Sequence, residues 1–226
     1  MSMWNARRWC GQVALLLVVA SSATACSGDE AGKGGEDAAT QASLKTCESL
    51  LGAENVASVR ADLGGDVRAE SSSPERAKGL LLEKAEKWTA DGDDLKRATY
   101  QLCLMRAAGE EDRGPVVAGV KWSLLTMDWV SKGKHAAEWR KAAEHVYVQR
   151  LARNPGLAAV VPCTLPGTAP GQTEGLPLEI SVLDAGLSKD SGALSGRLLS
   201  ALVRKTHELL GCQDSLAVPE SLTPEK

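Results

Sequence analysis

Six cysteines, three histidines and six tryptophans are the residues of this 226-residue chain best suited to chemistry. Cys47, Cys103, Cys163 and Cys212 stand far apart in the sequence. Zinc sites place two cysteines two to four residues apart, and here only His207 falls near a cysteine, so the four read as two disulfides. Four cysteines allow three pairings; Cys47 with Cys103 and Cys163 with Cys212 is favoured, because each pair closes one half of the chain. Each loop of roughly fifty residues stabilises the fold by about 4 kcal/mol in the chain-entropy description. His135, His145 and His207 match no metal-binding spacing, and His135 and His145 share a face only if one helix joins them. His207-Glu208 reads as a solvated pair.

Nucleophile signals are equally sparse. Ser131-Lys132-Gly133-Lys134 fits the S-x-x-K pattern of penicillin-recognising enzymes, but no S-D-N follows and His207 stands after Lys205-Thr206 where that family has glycine. The pattern therefore reads as a surface turn. Ser195 lacks the G-x-S-x-G frame, and no phosphate loop, dinucleotide fingerprint or other cofactor motif occurs. The acidic runs Glu110-Glu111-Asp112 and Asp91-Gly92-Asp93-Asp94 lack a full calcium loop and read as solvated turns. With no Phe in the chain, Trp88, Trp122, Trp129 and Trp139 are expected to fill the core. Trp129 and Trp139 lie outside the firmest strand pattern, which makes them the candidate ligand contacts.

The elements that must carry these residues begin after an address. Residues 1–25 read as a signal peptide: Arg7 and Arg8, an apolar stretch over 13–20, then small residues up to Cys26. Ala23-Thr24-Ala25-Cys26 fits a lipobox, in which the cysteine thiol receives a diacylglyceryl group, although a large aliphatic residue is commoner where Ala23 stands. Export through the general or the twin-arginine route stays open. Removing the signal leaves 24 basic against 29 acidic residues, a net charge of −5, so attachment must come from acyl chains rather than from anionic lipid. The same acidity and the absence of a basic run exclude a nucleic-acid binder. Residues 26–43 comprise the lipidated cysteine and a Gly-rich, charged segment expected as a flexible tether.

Hydrophobic composition of 43% and charge of 24% then supply a core. Residues 44–130 form a first α+β half: a helix around Cys47 continuing with Val56, Val59 and Leu63, a second helix started by Ser73-Pro74-Glu75, and an antiparallel hairpin of two alternating runs, 97–106 and 116–124. Arg76, Lys78, Glu83 and Lys87 face water. Residues 131–156 are ambiguous: Ala136, Trp139, Ala143 and Val146 recur at helical spacing, while Val146-Tyr147-Val148 favours a strand, and a connecting helical segment is the preferred reading. Residues 157–226 form a second α+β half, with strands at 157–161 and near Ile180 and a last helix from about Gly192. Leu194, Leu198, Leu202 and Leu209 share its buried face, and Gly211 ends it. The fold class is α+β, antiparallel hairpins with flanking helices, either one domain or two similar packed subdomains, with two disulfides.

The lipobox, the acidic Gly-rich tether, Thr46-Cys47-Glu48-Ser49-Leu50-Leu51, Val161-Pro162-Cys163 and Leu209-Leu210-Gly211-Cys212 together resemble the lipoproteins secreted by high-GC actinobacteria. That resemblance implies an envelope location and paired cysteines and supplies no catalytic residue. The expected function is a non-catalytic binding or interaction module on the outer face of the cell membrane. Its partners are membrane lipid through Cys26 and an envelope protein or small ligand. An envelope hydrolase with an unrecognised site is the alternative, and a transporter's two-lobed solute receptor is disfavoured by chain length.

Overall fold

The computed structural model describes residues 30–92, 96–133, 136–188 and 191–224, with residues 30–37 as backbone only. Helix α1 (Glu30–Leu51) takes in most of the segment expected as a tether. Helix growth is cooperative, so the docked turn around Leu44, Cys47 and Leu51, all buried, extends back through the strong helix formers Ala38, Ala39 and Ala42. Gly52, at φ +87, breaks the helix, and α2 (Ala53–Asp62) follows with Val56 and Val59 inward.

Strand β1 (Val67–Ser71) lies between α2 and the start of the next helix, where the sequence pattern predicts no element. Only Val67 and Ala69 point inward, too few alternations for a strand to be read from the sequence. Helix α3 (Pro74–Lys87) starts as anticipated, with Ser73 Oγ accepting from the Arg76 N–H and Pro74 in the first turn. β2 (Tyr100–Ala107) and β3 (Val116–Trp122) form the antiparallel hairpin. A short helix, α4 (Met127–Ser131), follows on the far side of the sheet.

The middle of the chain corrects the helical reading of 131–156. It contains the hairpin β4 (Arg140–Ala143) and β5 (Val146–Arg150), joined by Glu144 and His145, with His145 at φ 59. The local strand preference of Val146-Tyr147-Val148 prevailed because the sheet needs its alternation: Val146 and Val148 enter the main core, and Tyr147 packs on the opposite face. The helical spacing of Trp139 and Val146 is coincidental, since they belong to cores on opposite sides of the sheet.

β6 (Gly156–Val161) is buried on both faces and therefore reads as an unbroken apolar run. The Pro/Gly loop after it contains the one-turn helix α5 (Gln172–Gly175), braced by the Gln172 amide, which donates to the Leu176 carbonyl at 3.2 Å. β7 (Leu178–Asp184) and α6 (Gly192–Leu210) complete the chain of elements. Leu210 rather than Leu209 takes the last buried position of α6. All seven strands join one antiparallel sheet in the order β1-β2-β3-β7-β6-β5-β4. The two halves thus share a sheet through β3 and β7 rather than forming two packed subdomains. Helices α1, α2, α3 and α6 cover one face, and a second, smaller core of Met127, Val130, Trp139, Ala158 and Val160 lies on the other.

Both disulfides have the favoured pairing. Cys47–Cys103 fastens α1 to β2 with Cα atoms 5.4 Å apart, and Cys163–Cys212 fastens the end of β6 to the end of α6 at 4.8 Å. Beyond Cys212 the chain turns back along α6. Leu222 is fully buried, and its N–H donates to the Gly196 carbonyl at 3.0 Å. Gly196 permits this crossing, because a Cβ there would collide with Ser221 and Thr223.

Candidate functional site

The sequence-level candidates do not converge. Cys26, residues 1–25 expected as a signal peptide, Lys134 and His135 lie outside the described residues. His145 is exposed at the β4–β5 turn, 3.7 Å from Glu144. His207 is half-buried in the last turn of α6, and Glu208 pairs with Lys205 at 2.7 Å, so the two do not form a solvated pair. Among the described residues no group of three or more His, Cys, Asp or Glu side chains is placed to hold a metal ion. Glu110, Glu111 and Asp112 lie in an exposed turn, as expected.

The two candidate tryptophans part company. Trp139, 3% exposed, packs with Met127 and Val130; its ring is a core element, which corrects its reading as a ligand contact. Trp129 is 48% exposed on α4, so of these two it is Trp129 that presents a ring to solvent. Trp88 and Trp122 are in the main core, as expected.

Four titratable groups are perturbed among the described residues: the exposed pair Glu83 and Lys87, whose mutual hydrogen bond and attraction lower the first and raise the second, and Asp62 and His207. Burial pushes the Asp62 carboxyl up, but the Ser188 backbone N–H, the Ser188 and Ser191 hydroxyls and the Arg113 charge outweigh it and hold the pKa below the ordinary carboxylate value. The arrangement ties the end of α2 to the start of α6, which makes Asp62 a structural clamp. For His207, burial dominates the attraction of Asp214 and lowers the pKa; its Nε2 has no hydrogen-bond partner.

Sequence reasoning missed a groove of about 430 Å³ between the start of α3 and the start of β2. Its floor is apolar: Ala77 is buried, and Leu80 and the Tyr100 ring are half-buried. Its rim carries the hydroxyls of Ser72, Ser73 and Thr99, the Gln101 amide and the Arg76 guanidinium. The Lys84 ammonium stands 5.2 Å from the centre of the Tyr100 ring and donates to the Lys96 carbonyl, adding a second cation nearby. An apolar floor with a few hydrogen-bonding groups at the rim is the usual construction of a ligand site. The spacing of Arg76 says only that it is a water-facing helix position. The other wall lies more than twenty residues away, so no local pattern could have joined them.

No protein-family model matches the chain, and neither a curated protein nor a solved structure is found to match it. No helix among the described residues is long and apolar enough to cross a membrane.

Proposed function

We propose that this chain is a lipoprotein anchored through Cys26 to the outer face of the cell membrane, acting as a non-catalytic binding module of the envelope. The observation that carries the location is the pair of closed disulfides, which persist in oxidising compartments outside the cytosol. They stand behind a segment with the plan of an export signal and a lipobox ending at Cys26. The groove between α3 and β2 supports binding, and α1 supports presentation. Its residues 30–43 extend about 21 Å at helical rise and separate Cys26 from the folded body by a largely helical spacer.

Mass spectrometry of membrane-extracted protein tests the anchor, with a diacylated Cys26 at the mature terminus as the expected result. An unmodified Cys26, or a terminus elsewhere, overturns it. Cross-linking in membranes of the native host, against a Cys26→Ala control, tests the module. Enrichment of one partner or ligand that is lost on altering the groove supports binding, and turnover of an envelope substrate by the purified chain overturns the non-catalytic reading.

A further inference from the structure

We infer that the groove between α3 and β2 takes a ligand bearing a carboxylate on an apolar body, an assignment that rests on the binding-module reading. Charge, not size, singles out this groove. Two other hollows are larger, about 460 and 570 Å³, and a third measures about 380 Å³. Each of those three has a carboxylate in its lining: Glu138, Asp62, and Glu75 with Glu208. Among the described residues the α3–β2 groove has none, and Arg76 is its one charged lining residue. A carboxylate ligand is repelled by most of a chain that carries a net −3, so a rim with a guanidinium and no acid is the favourable place for it.

Arg76 suits that role chemically. Its guanidinium has no side-chain or backbone acceptor among the described residues, and its planar fork matches the two oxygens of one carboxylate. One such fork pairs with one carboxylate, and the Lys84 ammonium, held by the Lys96 carbonyl over the Tyr100 ring, is not part of the lining, which favours a carboxylate over a phosphate dianion. The Thr99 hydroxyl and Gln101 amide offer further donors at the rim, and Leu80 with the Tyr100 ring offers a surface for an apolar body.

The test uses the isotope-labelled full chain in neutral detergent micelles, with benzoate, benzamide and phenyl phosphate as probes and backbone amide shifts as the readout. Benzoate is expected to shift Ala77, Thr99 and Gln101 and to bind about tenfold more tightly than benzamide, its neutral isostere. Salt at 1 M, where the screening length is about 3 Å, erases that preference. Arg76→Gln also erases it without unfolding the chain, because the side chain is exposed, and Arg76→Lys restores it in part. Equal binding of benzoate and benzamide in the groove overturns the carboxylate assignment and leaves the binding site standing. Tighter binding of phenyl phosphate likewise overturns it. No shift in the groove with any probe overturns both the assignment and the groove as a ligand site.

Discussion

On the helical face of the sheet, α1, α2, α3 and α6 cover strands from β1 across to β5; on the other face, α4 and Trp139 cover Ala158 and Val160, with Tyr147 beside them. The helical face buries Trp88 and Trp122, and the other face buries Trp139. Trp122, on the helical face, donates its indole N–H to the Leu81 carbonyl of α3 at 2.9 Å. The Trp139 indole N–H is buried without an acceptor among the described residues. Trp122 is thus a satisfied tie between layers, whereas Trp139, like Trp88 on the helical face, is a buried ring whose N–H has no acceptor among the described residues. Burial alone does not rank their contributions: a buried donor left unpaired gives back part of what its ring gains.

The largest effect that breaks this comparison is Trp122→Ala. It removes a fully buried ring and the indole hydrogen bond to the Leu81 carbonyl, and it is expected to cost about 5 kcal/mol in urea unfolding. A cost below about 2 kcal/mol would show that the helical face does not dominate the fold.

The disulfides come next. Their sequence separations, 56 and 49, are close enough that loop entropy assigns each about 4 kcal/mol. They differ in access. Cys47, Cys103 and Cys163 are fully buried, while Cys212 is half-buried at the end of α6. Mild reductant is therefore expected to open Cys163–Cys212 first, with alkylation mapping as the readout. Simultaneous opening would mean that both are reached only by global unfolding.

Acid gives a smaller effect with a defined sign. The folded-state pKa of His207 is depressed, so its contribution is present above the ordinary imidazole value and is lost as pH falls through the lowered one. The Asp62 contribution is present above the ordinary carboxylate value and is lost as pH falls further, through its own lowered pKa. Stability measured by urea midpoint is expected to decline in two stages. His207→Gln flattens the first and Asp62→Asn the second; a midpoint independent of pH across both windows would contradict the two assignments.

Periodicity made the helical face legible. Leu194, Leu198 and Leu202 announce α6, Ser73-Pro74 announces the start of α3, and the alternation from Val116 to Trp122 announces β3. Even cysteine count and spacing sufficed to favour the observed disulfides. The second face was less legible, because its residues come from elements too short to show a period: five residues in α4, four in β4 and five in β5. A one-turn helix and a short hairpin leave Trp139 and Val146 at a spacing that mimics a helix. The groove was invisible for another reason. Arg76 and Gln101 become neighbours only after α3 docks on β2, a tertiary event that neither local sequence encodes.

The smallest effect sharpens the comparison most. Trp139→Phe keeps an aromatic ring among Met127, Val130 and Val160 but deletes the unpaired indole N–H. Losing part of the ring area costs about 1 kcal/mol, and removing a buried donor that has no acceptor returns a similar amount, so the net change is expected within about 0.5 kcal/mol of zero. The same substitution at Trp122 has no such offset. It loses comparable area and also deletes the hydrogen bond from the indole to the Leu81 carbonyl, so it is expected to cost about 2 kcal/mol. Urea midpoints of the two Phe variants measure the contrast between the paired Trp122 indole and the unpaired Trp139 indole directly. Equal losses would mean that the Trp139 N–H is satisfied in solution, by an ordered water or by a shift of α4 toward it, and that the two cores are built alike.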